Sequence, residues 1–219
     1  MKKLLHNKQY KMNRKGFTLA ELIVALTMTV VILTAVTALT FAVSSANDAA
    51  DDTNAKQAQL RYATLRITEL IRHCKLICRV SENDIAIWRA DDNGDGQINT
   101  NELVYIESSA WPDNFIRLVE FSQSGASSEM PRPLDQIYDG SIKAGLISVG
   151  NPVYTVLIPQ CDNVSLTTDV NPPLSRFVTV SFDLTENGTA HQYQINASMR
   201  SSSENLLAPA LVGIVSDDD

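Results

Sequence analysis

Residues 15–43 read Lys15-Gly16-Phe17-Thr18-Leu19-Ala20-Glu21 and then LIVALTMTVVILTAVTALTFAV. The 27 residues from Phe17 to Val43 hold a single ionisable group, Glu21. As a helix they would be about 40 Å long, against a bilayer hydrocarbon core of roughly 30 Å, so the segment spans with some tilt. A secretory signal has an apolar region of only about 7–15 residues, which disfavours removal by ordinary signal peptidase. Lys2, Lys3, Lys8, Lys11, Arg14 and Lys15 precede the run with no acid among them, and Asp48, Asp51 and Asp52 follow it. That asymmetry places the N-terminus in the cytoplasm and residues 44–219 outside.

The chain has 219 residues with a formal net charge of −7, and is 44% hydrophobic and 20% charged. Those proportions exclude disorder throughout and a multi-span membrane protein. Six of the 18 Lys and Arg precede Phe17 but none of the 25 Asp and Glu does, so the remainder is strongly acidic. Nucleic acid and anionic lipid surfaces would repel such a body, and no nucleic-acid partner is expected.

The junction Lys15-Gly16-Phe17-Thr18-Leu19-Ala20-Glu21 with its apolar continuation resembles the class III signal of type IV prepilins and type II secretion pseudopilins. The resemblance covers about 30 residues. It implies that a prepilin peptidase cuts after Gly16, that Phe17 becomes an N-methylated terminus, and that Glu21, fifth in the mature chain, acts in polymerisation. Length and the closing Ser198-Met199-Arg200 also resemble the J-type minor pseudopilins. Implied partners are other pilin or pseudopilin subunits, the peptidase, an inner-membrane assembly platform, and membrane lipid before assembly.

Glu21 has two plain readings. Thr18-x-x-Glu21 is a capping box for a helix start, or the carboxylate snorkels to nearby head groups. Neither accounts for the Gly-Phe junction. A carboxylate within a spanning helix costs roughly 2.5–3.5 kcal/mol on insertion scales, so a partner is expected. The resemblance supplies one, the freed amine of Phe17 on a neighbouring subunit.

Beyond the apolar run, Leu60, Ala63, Ile67, Leu70, Ile71, Cys74, Ile77 and Cys78 recur at helical steps and predict an amphipathic helix over 47–80. The period then becomes two. Ile85–Trp88, Leu103–Ile106, Phe115–Phe121, Leu146–Val149, Val153–Ile158 and Val164–Thr167 read as strands. Val178, Val180, Phe182 and Leu184, then Tyr193, Ile195, Ala197 and Met199, alternate about Glu186-Asn187-Gly188-Thr189, a hairpin signal. Residues 122–141 carry turn formers without a period and read as a surface loop. Residues 201–219 form a C-terminal tail whose apolar centre, Leu206–Val215, is too short to span and reads as a strand or as flexible chain.

Residues 91–102, Asp-Asp-Asn-Gly-Asp-Gly-Gln-Ile-Asn-Thr-Asn-Glu, fit every slot of the twelve-residue calcium loop. Asp91, Asn93 and Asp95 supply side-chain oxygens at positions 1, 3 and 5. Gln97 offers its backbone carbonyl at 7, Asn99 serves position 9, and Glu102 is bidentate at 12, while Ile98 faces inward. Hard oxygen donors without His or Cys suit a structural Ca²⁺. The flanks read as strands, unlike the helices of a sensor.

Cys74, Cys78 and Cys161 lie outside the cytoplasm in this topology, where disulfides are permitted. Cys74 and Cys78 would be one helical turn apart, so either is expected to pair with Cys161. No nucleophile elbow, phosphate loop, zinc motif or dinucleotide fingerprint is present, and no enzymatic activity is expected.

The expectation is a pilin-like α+β chain in which a long N-terminal helix, transmembrane and then amphipathic, packs on an antiparallel sheet. Its parts are a leader at 1–16, a polymerisation segment at 17–46, the amphipathic helix at 47–80, a β-rich extracytoplasmic domain at 81–200 and a tail at 201–219. The expected function is a minor subunit of a type II secretion pseudopilus or a type IV pilus in the bacterial inner membrane. The alternative is a signal-anchored periplasmic calcium-binding protein that never polymerises.

Overall fold

The computed structural model describes residues 16–109, 114–122 and 130–200. Residues 1–15 of the expected leader at 1–16, the tail at 201–219 and residues 123–129 of the expected loop lie outside the described residues. The chain divides into two compact units, Met1–Ala50 and Asp51–Asp219.

One helix, α1 (Leu19–His73), runs through both units. In the first unit its apolar side chains are exposed all round, including Leu22, Leu33, Leu39 and Phe41. The threonines there add no unsatisfied hydroxyl donor to that apolar surface. Thr27, Thr29, Thr34, Thr37 and Thr40 each donate their hydroxyl to a carbonyl three or four residues back. Each hydroxyl donor is satisfied within the helix, as a span without water requires.

The second unit is built on two antiparallel sheets. The larger has strand order β1-β2-β3-β4-β5, from β1 (Leu76–Val80), β2 (Asp84–Trp88), β3 (Leu103–Ser109), β4 (Phe115–Phe121) and β5 (Pro152–Pro159). The smaller joins β6 (Asp162–Thr168), β7 (Phe177–Glu186) and β8 (Thr189–Ser198). Fold class and the helix-then-antiparallel-sheet order agree with the sequence reading, with two sheets in place of one.

Why β2 reads Ile-Ala-Ile-Trp without polar alternation follows from its two buried faces. Ile85 and Ile87 face a core shared with Ala63, Ile67, Leu70 and Ile71 of α1 and with Val180 and Phe182 of β7. Ala86 and Trp88 face a second core with Leu103, Tyr105 and Phe121. The smaller sheet has only one buried face. Val178, Val180, Phe182 and Leu184 are therefore buried in alternation with more exposed neighbours.

Three expectations are corrected. The amphipathic helix ends at His73, not at 80, and Leu76–Val80 is a strand paired with β2. Ile77 and Cys78 point into opposite cores, as alternate strand residues do and one helical stripe cannot. Leu146–Val149 belongs to a helix, α3 (Lys143–Val149), with only Leu146 buried. Within the expected loop 122–141 lies α2 (Leu134–Asp139), which buries Leu134 and Ile137. Pro133 at its start and Gly140 at its end, the latter in the left-handed region at φ 78°, are its sequence signals. Together α2 and α3 cover the second core.

Candidate functional site

Two parts of the chain carry chemistry, the start of α1 and the loop between β2 and β3. At the helix start Glu21 Oε2 accepts from the backbone N–H of Thr18 at 3.0 Å and from its hydroxyl at 3.0 Å. Thr18 Oγ1 in turn accepts from the Glu21 N–H at 3.3 Å. The capping box is thus formed, and it holds the carboxylate four residues from Phe17 along an otherwise apolar surface. Gly16 and Phe17 precede the first helical turn, and Phe17 is 87% exposed.

The loop 91–102 winds tightly, with Gly94 at φ 71° and Gly96 at φ 68°, a region unfavourable to residues bearing a Cβ. Asp91 accepts the N–H groups of Asp95 and Gly96, each at 3.1 Å. Asn93 Oδ1 accepts from Asp95 N–H at 3.1 Å, and Asp95 Oδ1 from Gln97 N–H at 2.8 Å. Amide nitrogens of Asn93 and Asn99 reach Asp95 Oδ2 at 2.9 and 3.0 Å. Slight desolvation pushes the exposed Asp95 carboxyl up, but the bonds from Asn99, Gln97 and Asn93 outweigh it and hold it below the usual carboxylate range.

Glu102 stands apart from the other acids. It is buried and gives both oxygens to protein donors. Trp88 Nε1 and Asn99 N–H bond Oε2, each at 3.1 Å, and Asp92 N–H bonds Oε1 at 2.8 Å. One acidic side chain therefore ties the end of β2 to the start of β3. Ile98 is buried in the second core, as its inward slot requires.

Asn99 is fully buried, and its Oδ1 has no hydrogen-bond partner among the described residues; the same holds for Oδ1 of Asn101. A buried acceptor without a donor is costly, about 1–3 kcal/mol. The oxygens that could receive a cation are those of Asp91, Asn93, Asp95 and Asn99, the Gln97 carbonyl and Glu102 Oε1. The chemistry of this donor set fits a hard cation. The described residues hold no ready cluster of three His, Cys, Asp or Glu side chains, so binding requires the loop carboxylates and amides to turn inward.

Sequence reasoning missed Lys75. Its Nζ lies 3.2 Å from Asp91 Oδ2 and 5.2 Å from the centre of the Trp88 ring. Arg89 pairs with Asp92 at 2.6 Å. Two of the loop's four carboxylates thus have basic partners, which leaves Asp95 and Glu102 with hydrogen bonds alone.

Cys74, Cys78 and Cys161 are free thiols, and the expected disulfide is not formed. Cys78 faces the second core while Cys161 faces the first, so the sheet separates them. Cys74 shares the first core with Cys161 but turns its thiol to the Ile71 carbonyl at 3.1 Å. Burial pushes the thiols up, to about 12 for Cys74 and about 11 for Cys161, so both are poor nucleophiles.

Residues 11–37 match the family model described as the prokaryotic N-terminal methylation motif. No curated protein and no solved structure matches the chain. The matched segment contains the Gly16-Phe17 junction and Glu21 and is a class III prepilin signal, similar to that of type IV pilin and pseudopilin precursors.

Proposed function

We propose that this protein is a non-enzymatic minor subunit of a type II secretion pseudopilus or a type IV pilus. The observation that carries the reading is the Gly16-Phe17 junction with Glu21 four residues on, inside a matched methylation motif and at the head of a helix apolar on every side. Prepilin peptidase cuts after Gly16, and Phe17 becomes a methylated amine. Residues 17–46 hold the subunit in the inner membrane as a single span, with the remainder in the periplasm. The assembly platform then extracts it. Glu21 sets the axial register by meeting the Phe17 amine of a neighbouring subunit, which offsets the roughly 2.5–3.5 kcal/mol of placing a carboxylate in an apolar helix. The same reading places a structural Ca²⁺ in loop 91–102, supported by the donor spacing and by the unpartnered Asn99 Oδ1.

Intact-mass and N-terminal sequencing of protein recovered from cells tests the processing step. A start at monomethylated Phe17 is expected. An intact Met1 would instead favour a signal-anchored calcium-binding protein that does not polymerise. Glu21→Ala should be processed normally yet largely fail to enter sheared filaments, and normal incorporation would remove the role given to Glu21.

A further inference from the structure

The loop 91–102 is joined to the α2–α3 segment by a seam of three contacts. Arg132 N–H donates to the Ile98 carbonyl at 2.7 Å. Arg132 Nε donates to Thr100 Oγ1 at 3.0 Å. Asn99 forms an isolated antiparallel bridge with Pro131. Pro133 comes next and caps α2, whose Leu134 and Ile137 share the second core with Leu146 of α3 and with Ile98 of the loop itself. Positions 8, 9 and 10 of the loop are therefore also the docking edge for the helical cover over Trp88, Tyr105 and Phe121.

We infer that cation occupancy of loop 91–102 acts as a latch, holding α2 and α3 on the sheet through Ile98, Asn99, Thr100 and Arg132. This rests on the calcium reading above and extends it from local to long-range order. Asn99 links the loop to the seam. Its amide nitrogen lies against Asp95 within the loop, its Oδ1 is buried without a partner, and its backbone faces Pro131. Ligation through Asn99 and the neighbouring Gln97 carbonyl would fix the backbone that presents the Ile98 carbonyl and the Thr100 hydroxyl to Arg132. Losing the ion would loosen the seam and the cover together. Any opening that abolishes cation binding is suppressed by mass action, so Ca²⁺ at about ten times its Kd slows a coupled opening by about tenfold.

Hydrogen exchange read by mass spectrometry on the full chain in detergent micelles tests the latch, with calcium chloride titrated against EGTA and magnesium chloride in parallel. The expected result is about tenfold slower exchange in peptides from 91–102 and from 134–149, with one common calcium midpoint. Protection confined to 91–102 would overturn the latch and leave the calcium reading standing. Absence of any calcium effect would overturn both. Arg132→Ala removes the side-chain bond to Thr100 but keeps the backbone bond to Ile98, so it should keep the protection of 91–102 and weaken that in 134–149. An unchanged response of 134–149 in this variant would overturn the route through the Arg132 side chain. Asp95→Ala should abolish the response in both regions, and its persistence in either would count against the cation site.

Discussion

Asp84 is only 6% exposed, and its charge there depends on its neighbours. Lys143 Nζ lies 2.6 Å from Oδ2, Ser81 Oγ donates to Oδ1 at 2.8 Å, and Arg79 stands 3.6 Å away. Lys143 also reaches Glu107 at 3.1 Å, which Arg117 holds from the far side at 2.7 Å. Desolvation pushes the Asp84 carboxyl up, but the bonds from Lys143 and Ser81 and the charges of Lys143 and Arg79 outweigh it, so it titrates below its ordinary value. A carboxyl whose folded pKa is depressed contributes stability that is present above the unfolded pKa of about 3.9 and is lost as pH falls through the folded value. Lys143→Met removes the closest countercharge and leaves Asp84 buried. Breaking a buried pair costs about 3–5 kcal/mol, and Arg79 and Ser81 keep the expected loss near the lower figure. Urea unfolding at pH 7 should show that loss. Its acid limb should begin at higher pH than in the parent, because Asp84 then titrates higher. An acid limb unmoved by the substitution would show that Lys143 does not govern the charge of Asp84.

The hairpin between β7 and β8 gives a cleaner trial at the level of the element. Asn187 at φ 50° and Gly188 at φ 79° are the two central residues of a turn whose twist matches its strands. A Cβ added at Gly188 meets nothing within 4 Å, so Gly188→Ala has a backbone cost alone, about 1–2 kcal/mol for a left-handed residue. Thermal unfolding should register that loss with the fold intact, and a change near zero would mean the turn relaxes into another type. This hairpin was plain in the sequence because two signals agreed there, alternation on one buried face and Asn-Gly between. Elsewhere the signals conflicted. Leu76–Val80 continued the helical spacing of α1 and showed no alternation of its own, and its antiparallel pairing with β2, from Leu76 opposite Trp88 to Val80 opposite Ile85, decides for a strand. The run at 146–149 was too short for either period to prevail. In α2 the apolar pair Leu134 and Ile137 stood alone between turn formers, and its burial depends on a sheet face that no local pattern announces. The spacing of loop 91–102 was legible at once. Its neighbours Lys75 and Arg132 were not, because each arrives from a segment distant in sequence.

Over the whole molecule the two units make opposite demands on their surroundings. The second gathers most of its large apolar side chains into two cores, leaving scattered ones such as Leu65, Val153 and Val156 exposed. The first exposes Phe17, Leu19, Leu26, Val31, Leu39 and Phe41 at 87%, 79%, 61%, 63%, 66% and 76%. A contiguous apolar surface of that kind, uncovered all round, belongs in lipid or against other helices. The sequence also offers α1 a place to restart without its apolar half. Asn47 is a favoured N-cap residue, and Asp48 and Asp51 would stand in the first turn beyond it, where the helix dipole favours acids. The residues of α1 that enter the first core, Ala63, Ile67, Leu70 and Ile71, all lie well past that point. A chain begun at Asn47 should therefore remain in the supernatant without detergent and unfold at nearly the midpoint of the full chain. The full chain should pellet with membranes, resist alkaline carbonate and require detergent for release. If the shortened chain still sedimented with membranes, the anchor would have to lie in the second unit, and the apolar helix could no longer be its sole cause.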